Sequence, residues 1–384
     1  MAIGVFDISV VELCLVGLLV LAFIYELYFY VRYMRIRQKN ATSQTASNDT
    51  KPAQTAPGVS VLVCARNEAI NLESYVQSLL TQDYPTFEVI LVNDGSQDNT
   101  RAVMDDYASQ DQRVKHTFVP FGARMRSTKK LGLTLAAKAA QYDYLLLTDA
   151  DCRPESKHWI SEMMAPFADD KTEVVLGYGA YFAENSLLND LIQYDTLFNG
   201  LHYMGAAAVG KPYMGVGRNL AYRKQTFFEH GGFSDQMVER AGDDDLFVNK
   251  VATRDNTVVV NSRESITWSV PKTTWKSWVQ QKRRHLSVSH AYKPATKDHL
   301  AKEPMARGLF YALVIALFAL GEPLTMCAAL LLFVARLMMQ LIIINRGAKA
   351  LGQPRIGFEL VWYDIALPVL TLILMGPKKN KNTW

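Results

Sequence analysis

The sequence predicts an α/β domain built on a mainly parallel sheet and carried between membrane segments at both ends. Three observations predict it. Between residues 59 and 148, short apolar runs of strand composition alternate with stretches of helical periodicity, the pattern of a parallel sheet with crossover helices. Three of these runs break off into polar side chains: Arg66 and Glu68, then Asp94, then Asp149 and Asp151. In such sheets ligands bind beyond the carboxyl ends of the strands, so these side chains point to one shared site. Apolar blocks long enough to enter a bilayer lie at 9–31 and beyond 305.

The chain has 384 residues, enough for a large soluble domain plus membrane segments. Its formal net charge of +4 argues against nucleic acid as the main partner. Cys14, Cys64, Cys152 and Cys327 are scattered, without CxxC spacing, and read as free thiols in a reducing compartment.

Residues 9–31 are nearly all apolar, and Arg32, Arg35, Arg37 and Lys39 follow them, whereas Asp7 precedes them. A signal peptide carries its positive charges first. Residues 1–37 therefore read as an uncleaved anchor with its C-terminal side in the cytoplasm. Tyr25, Tyr28, Tyr30 and Tyr33 suit the interface at that end. The Ser/Thr/Ala/Asn-rich residues 38–57 read as a flexible tether to a cytoplasmic catalytic domain at 58–272.

Within that domain the expected strands are 59–65, 87–92, 114–119, 143–148 and 174–182, and the expected helices 70–80, 98–107, 131–140, 159–167 and 186–204. At a strand end, residues i and i+2 share a side, so Asp149 and Asp151 can converge on one hard cation. Alone, a D-x-D is more often an acidic turn. The aromatic stripe of 186–204 reads as core. Gly215-Val216-Gly217-Arg218-Asn219 leads a loop into a short strand ending at Arg223, and glycines there permit close approach to a ligand or simply a turn. Gly242-Asp243-Asp244-Asp245 opens a helix. One or two of its acids serve as caps; the third is more than a cap needs, and a carboxylate crowded by others is a candidate general base.

Residues 273–300 form a basic, aromatic region whose Trp275 and Trp278 fall one turn apart, as in a helix lying on a membrane surface. Residues 305–376 hold three apolar segments: 305–321 and 325–344 joined at Gly321-Glu322-Pro323, and 357–376 with Asp364 and Pro368 inside it. Arg346, Lys349 and Arg355 place the hairpin's return in the cytoplasm, whereas Lys378, Lys379 and Lys381 leave the last segment either spanning or re-entrant.

Five elements occur in a set order: Ala65-Arg66-Asn67-Glu68, Val92-Asn93-Asp94-Gly95-Ser96, Asp149-Ala150-Asp151, Gly242-Asp243-Asp244 and Gln281-Lys282-Arg283-Arg284-His285. Across residues 58–290 they resemble a membrane-bound glycosyltransferase of family 2 with the GT-A fold. The layout resembles both ceramide glucosyltransferases and the processive polysaccharide synthases. One position departs: His285 stands where the family usually has Trp, which weakens the likeness to a polymerase.

The resemblance implies inverting transfer of a sugar from a nucleotide-diphosphate donor, with UDP the family's usual nucleotide, to a lipid or lipid-linked glycan. It also implies Mg²⁺ or Mn²⁺. Asp151 would bind the metal and Asp149 the metal or ribose, while Arg66, Glu68, Asp94 and Lys130 (or Lys129) would surround the nucleotide. Asp244 would be the base, with Asp243 tuning it, and Gln281, Arg284 and His285 would hold the pyrophosphate or shape the acceptor entrance. The implied place is the cell membrane, multi-pass, with the catalytic domain cytoplasmic. A processive synthase and a catalytically inactive membrane scaffold are the rival readings. Sugar, acceptor and oligomeric state are not legible.

Overall fold

The structure, a computed structural model, describes residues 9–35, 56–120, 128–239 and 241–376. Asp7, Arg37, Lys39, residues 38–55 of the expected tether, and Lys378, Lys379 and Lys381 lie outside the described residues.

The chain opens with helix α1 (Val10–Tyr33), capped reciprocally by Ser9 and Glu12. Four βα units follow: β1 (Val59–Ala65), α2 (Ala69–Leu80), β2 (Phe87–Asn93), α3 (Thr100–Gln110), β3 (Val114–Phe118), α4 (Thr128–Ala139), β4 (Tyr144–Asp149), β5 (Cys152–Pro154) and α5 (Trp159–Met164). Next come β6 (Val174–Leu176), β7 (Gly179–Tyr181), α6 (Leu187–Ala208), β8 (Leu220–Arg223), α7 (Lys224–Glu229), α8 (Asp245–Val251), β9 (Thr257–Val259) and β10 (Thr267–Ser269). The chain ends in α9 (Trp275–Leu286), α10 (Pro294–Leu320), α11 (Pro323–Ala350) and α12 (Leu360–Met375).

The main sheet has the order β3-β2-β1-β4-β8-β6-β9, and only β8 runs against its neighbours. Its central strands β1, β2 and β4 are mostly apolar because both faces are covered, whereas β3 at the edge exposes Lys115 and His116. Alternate residues go to opposite sides: Leu62, Ile90, Val92, Leu145 and Leu147 pack with α4 and α6, and Val61, Val63, Val89, Leu91 and Leu146 pack with α2 and α5. A small sheet, β5-β10-β7, leans on the carboxyl edge of the main one.

The strand expected over 174–182 is two strands in different sheets. The corner between them is held by Asn219, which is fully buried. Its Nδ2 donates to Tyr178 O (2.8 Å) and Ser265 O (2.7 Å), and its Oδ1 accepts from Trp159 Nε1 (3.0 Å). The aromatic stripe of α6 is core, with Tyr194 and Tyr203 buried.

α1, α10 and α11 are long and apolar enough to cross a membrane. α10 begins eleven positions before the apolar run starting at 305 and carries Pro304 inside it. α12 has 16 residues, about 24 Å of helix against a hydrocarbon core of about 30 Å. Its Asp364 is buried between Arg336 of α11 (2.6 Å) and Arg307 of α10 (3.3 Å), and Arg336 also meets Glu26 of α1 (2.6 Å). Arg307 pairs in turn with Glu303. Charges in an apolar bundle are tolerated only when paired in this way.

α9 departs from expectation. Trp278 is buried in the core beneath it, while Trp275 is exposed, the two rings meeting edge-on at 5.8 Å. The tryptophan pair therefore does not lie together on a membrane surface. Trp278 belongs to the core cluster that also takes in Leu360 and Leu367 of α12, the helix against which α9 packs.

Candidate active site

The parallel register sets Ala65 beside Asn93 and Cys64 beside Asp149, so three strands end at one level. The loops that leave β1 and β2 are sewn together. Asn67 adopts a left-handed backbone (φ 57°), which Asn tolerates. Its N–H donates to Ser96 Oγ (3.0 Å) and its Oδ1 accepts from Gln97 N (2.8 Å). Asp98 accepts from the first N–H groups of both α2 and α3. Arg66, Glu68 and Asp94 are thereby held on one rim. Asp94 is buried, accepts from Thr128 Oγ1 (2.9 Å), and is raised in pKa by that burial.

At the end of β4, Asp149, Asp151 and Cys152 place donor atoms within 4.8 Å of one another. Burial, then the charges of Asp149 and Glu68, push Asp151 up to about 6. Cys152 is the weak member. Its Sγ lies 2.9 Å from Ser269 Oγ, and burial holds its pKa well above the usual thiol value, so it stays protonated. What remains is a pair of carboxylates, a hard-oxygen set that fits Mg²⁺ or Mn²⁺ with coordination left for substrate and water.

The three acids at the start of α8 diverge, which answers how consecutive carboxylates coexist. Gly242 turns the chain with φ +82°, and a Cβ there would meet Leu246 Cδ1 at 2.7 Å. Asp243 reaches Lys129 (3.0 Å). Asp244 accepts from Gly217 N (2.7 Å) and Asp245 N (2.9 Å). Asp245 turns away, accepting from Tyr292 Oη (2.7 Å), and burial raises it to about 7. Burial, then Asp243, also raises Asp244. Asp243 goes the other way: burial opposes its charge, but Lys129 outweighs that and lowers it.

Lys129 joins the clusters. Its ammonium lies 2.9 Å from Asp149 Oδ1 and 3.0 Å from Asp243 Oδ2, so the two carboxylates stand no farther apart than those contacts laid end to end. Burial disfavours its charge, yet Asp149, Asp243 and Asp244 hold its pKa well above the usual lysine value. Lys130, named first from the sequence, does not take this place. It is fully buried, and its Nζ donates to the backbone carbonyls of Gln236 (2.7 Å) and Glu239 (3.2 Å), steadying the segment before the acid triad. Neighbouring residues on a helix point about 100° apart, so only one of the pair can face the cleft.

From α9, Gln281 Nε2 donates to Tyr181 Oη (3.2 Å), and Lys282 is bound to Asp195 of α6 (2.5 Å). Arg284 and His285 are exposed on the same helix, and the Arg284 side chain makes no hydrogen bond or ion pair among the described residues.

Residues 60–232 match the family described as "Glycosyl transferase family 2". The chain carries a domain of glycosyl transferase family 2. This family 2 domain is similar to the poly-beta-1,6-N-acetyl-D-glucosamine synthase of Staphylococcus epidermidis, 32% identical over 98 residues, 26% of this chain and 23% of that protein. It is also similar to the probable glycosyltransferase YdaM of Bacillus subtilis, 25% identical over 234 residues, 59% of this chain and 54% of that one. The chain thus spans about a quarter and about half of these two relatives. Among solved structures, the mannosyltransferase PcManGT of Pyrobaculum calidifontis, in complex with GDP-Man and Mn²⁺, matches with TM-score 0.57 and 20% identity over 94% of this chain and 97% of that one. At that identity the likeness is one of fold, and the fold is GT-A.

The matched stretch holds Arg66, Glu68, Asp94, Asp149 and Asp151. The acid triad and α9 lie beyond it and join the site through Lys129 and Tyr181. Sequence reasoning gave no role to Tyr181, Thr128 or Arg218. Each is one polar side chain in an otherwise structural stretch, and only the fold brings it to the cleft.

Proposed function

We propose that the protein is an inverting glycosyltransferase. It moves a sugar from a nucleotide-diphosphate donor, with UDP the first candidate, to a lipid or lipid-linked glycan at the cytoplasmic membrane face. The observation that carries this is the meeting of Asp149, Asp151, Asp243 and Asp244 around Lys129 at the carboxyl edge of the sheet. One cleft then has a cation-binding pair on one side and a carboxylate of raised pKa on the other.

Asp149 and Asp151 would hold a divalent ion, which when bound neutralises the charge of the departing diphosphate. Arg66, Glu68 and Asp94 face the nucleoside. Lys129 and Arg284 contribute the remaining positive charge. Asp244 takes the proton from the acceptor hydroxyl. Its two backbone hydrogen bonds fix the carboxylate's direction, while burial and Asp243 make it more basic than a free aspartate. Asp243, kept ionised by Lys129, tunes that basicity.

Three helices long and apolar enough to cross a membrane support a membrane-bound acceptor, since a chain anchored by them would carry its cleft near a bilayer. A processive synthase is the second reading, supported by the likeness to the S. epidermidis synthase.

The test has two parts. Membranes containing the protein are given a panel of labelled nucleotide sugars, and lipid-extractable product is separated from polymer. Label in the lipid fraction is the expected result; label in polymer alone selects the synthase. Asp244→Asn should then lower transfer by about 10²–10⁴-fold, the usual worth of a general base, while nucleotide binding survives. Normal turnover by Asp244→Asn contradicts its role.

A further inference from the structure

The loop before β8 carries a cation for which the proposed chemistry has not accounted. The backbone of Arg218 sits beside Thr148, the neighbour of Asp149, and its side chain beside Tyr181, which α9 touches through Gln281. Its backbone is fixed twice over, because its carbonyl accepts from Thr148 Oγ1 (3.1 Å) and Thr267 Oγ1 (3.0 Å). Its guanidinium carbon lies over the Tyr181 ring, 4.2 Å from the centroid. The same Tyr181 hydroxyl accepts from Gln281 of α9. Gly179 makes room for the side chain: a Cβ there would stand 2.2 Å from Arg218 Nε.

The guanidinium is held in place but poorly satisfied. Nη2 donates to Gly179 O (2.8 Å). Nε is buried with no partner. Nη1 makes no hydrogen bond, and no carboxylate lies within ion-pair distance of the group, among the described residues. Drawing a charged group partly out of water without an opposite charge is costly. A packing role alone would be served by an apolar side chain. A planar fork fixed by stacking and left without an anion suits a phosphoryl oxygen, which arginine binds through directed hydrogen bonds.

We infer that Arg218, held by Tyr181 and Gly179, is a phosphate-recognising residue of the cleft. This rests on the glycosyl-transfer reading for its setting. The phosphoryl group has two possible sources: the diphosphate of the donor, or a phosphate on the lipid acceptor.

The experiment uses the full chain in phosphatidylcholine nanodiscs. One arm titrates UDP, GDP and the matching monophosphates with Mn²⁺. The other measures binding of a polyprenyl phosphate against the parent polyprenol. Wild type, Arg218→Met and Arg218→Lys are compared, with thermal unfolding to confirm that each is folded. If the donor is the source, Arg218→Met weakens the diphosphate at least tenfold and the monophosphate little. If the acceptor is the source, Arg218→Met loses the preference for polyprenyl phosphate over polyprenol. In either case Arg218→Lys recovers part of the loss, which a merely structural role would not produce. Tyr181→Leu gives the same pattern in weaker form and serves if Arg218→Met does not fold. Unchanged discrimination in both arms overturns the assignment. So does a wild type that prefers neither phosphorylated probe. A wild type that binds no nucleoside diphosphate but prefers the lipid phosphate contradicts the glycosyl-transfer reading and leaves Arg218's role intact.

Discussion

Lys129 does at the scale of one residue what the divalent ion is expected to do for the substrate: it lets carboxylates from distant parts of the chain share a small volume. That sets a pH dependence. As the proposed base, Asp244 would work only when ionised, so activity should fall as pH drops through its folded pKa, which burial and Asp243 raise and Lys129 lowers. Lys129→Gln removes the lowering charge. The acidic limb of the kcat/KM–pH profile should therefore move to higher pH, and a limb that stays put or moves lower contradicts the arrangement. Residue-level legibility was uneven for a physical reason. Asp149 and Asp151 were readable because strand side chains repeat every two residues, so the spacing alone puts both on one side. Lys129 and Lys130 were not separable, because the sequence does not say where α4's first turn begins, and one step along a helix redirects the side chain. The three acids at 243–245 were recognisable as too many for a cap, but only the fold sends Asp245 away to Tyr292.

At the scale of elements, the long buried strands β1, β2 and β4 were visible as mostly apolar runs bounded by polar turns. β5, β7 and β10 have three residues each, too few for any periodicity. Their positions are set by side chains such as Asn219, whose role is a count of buried hydrogen bonds and not a pattern. Asn219→Ala leaves Trp159 Nε1 and Ser265 O without a partner, and leaves Tyr178 O only its longer bond from Thr267 N (3.3 Å). Buried groups left unpaired cost about 1–3 kcal/mol each, so a loss of roughly 2 kcal/mol or more is expected, read as a lowered Tm with near-native circular dichroism. An unchanged Tm would mean the corner is held by something else. α9 gave the opposite lesson. Its Trp275 and Trp278 spacing suggested a surface helix, but the turn-to-turn rotation buries one ring in the core and leaves the other outside.

For the whole molecule, the apolar segments announced themselves by length and composition, but their mutual packing did not. Asp364 stands inside the last apolar segment; in the fold it is the shared partner of Arg307 and Arg336, tying α12 to α10 and α11. Removing one partner of a buried pair typically costs about 3–5 kcal/mol. Asp364→Ala should therefore lower thermal stability in detergent strongly, and a neutral effect would show that α12 is held by apolar contact alone. The central claim concerns the cleft that this scaffold carries: acids contributed by the ends of β4 and α8 surround one site for a metal and a nucleoside diphosphate. Isothermal titration of the purified protein with UDP and GDP, in Mn²⁺ and in EDTA, tests it most directly. The account predicts that at least one of the two binds in Mn²⁺, and that binding is lost in EDTA and in Asp151→Asn. Binding indifferent to both, or no binding of either nucleotide, would contradict it.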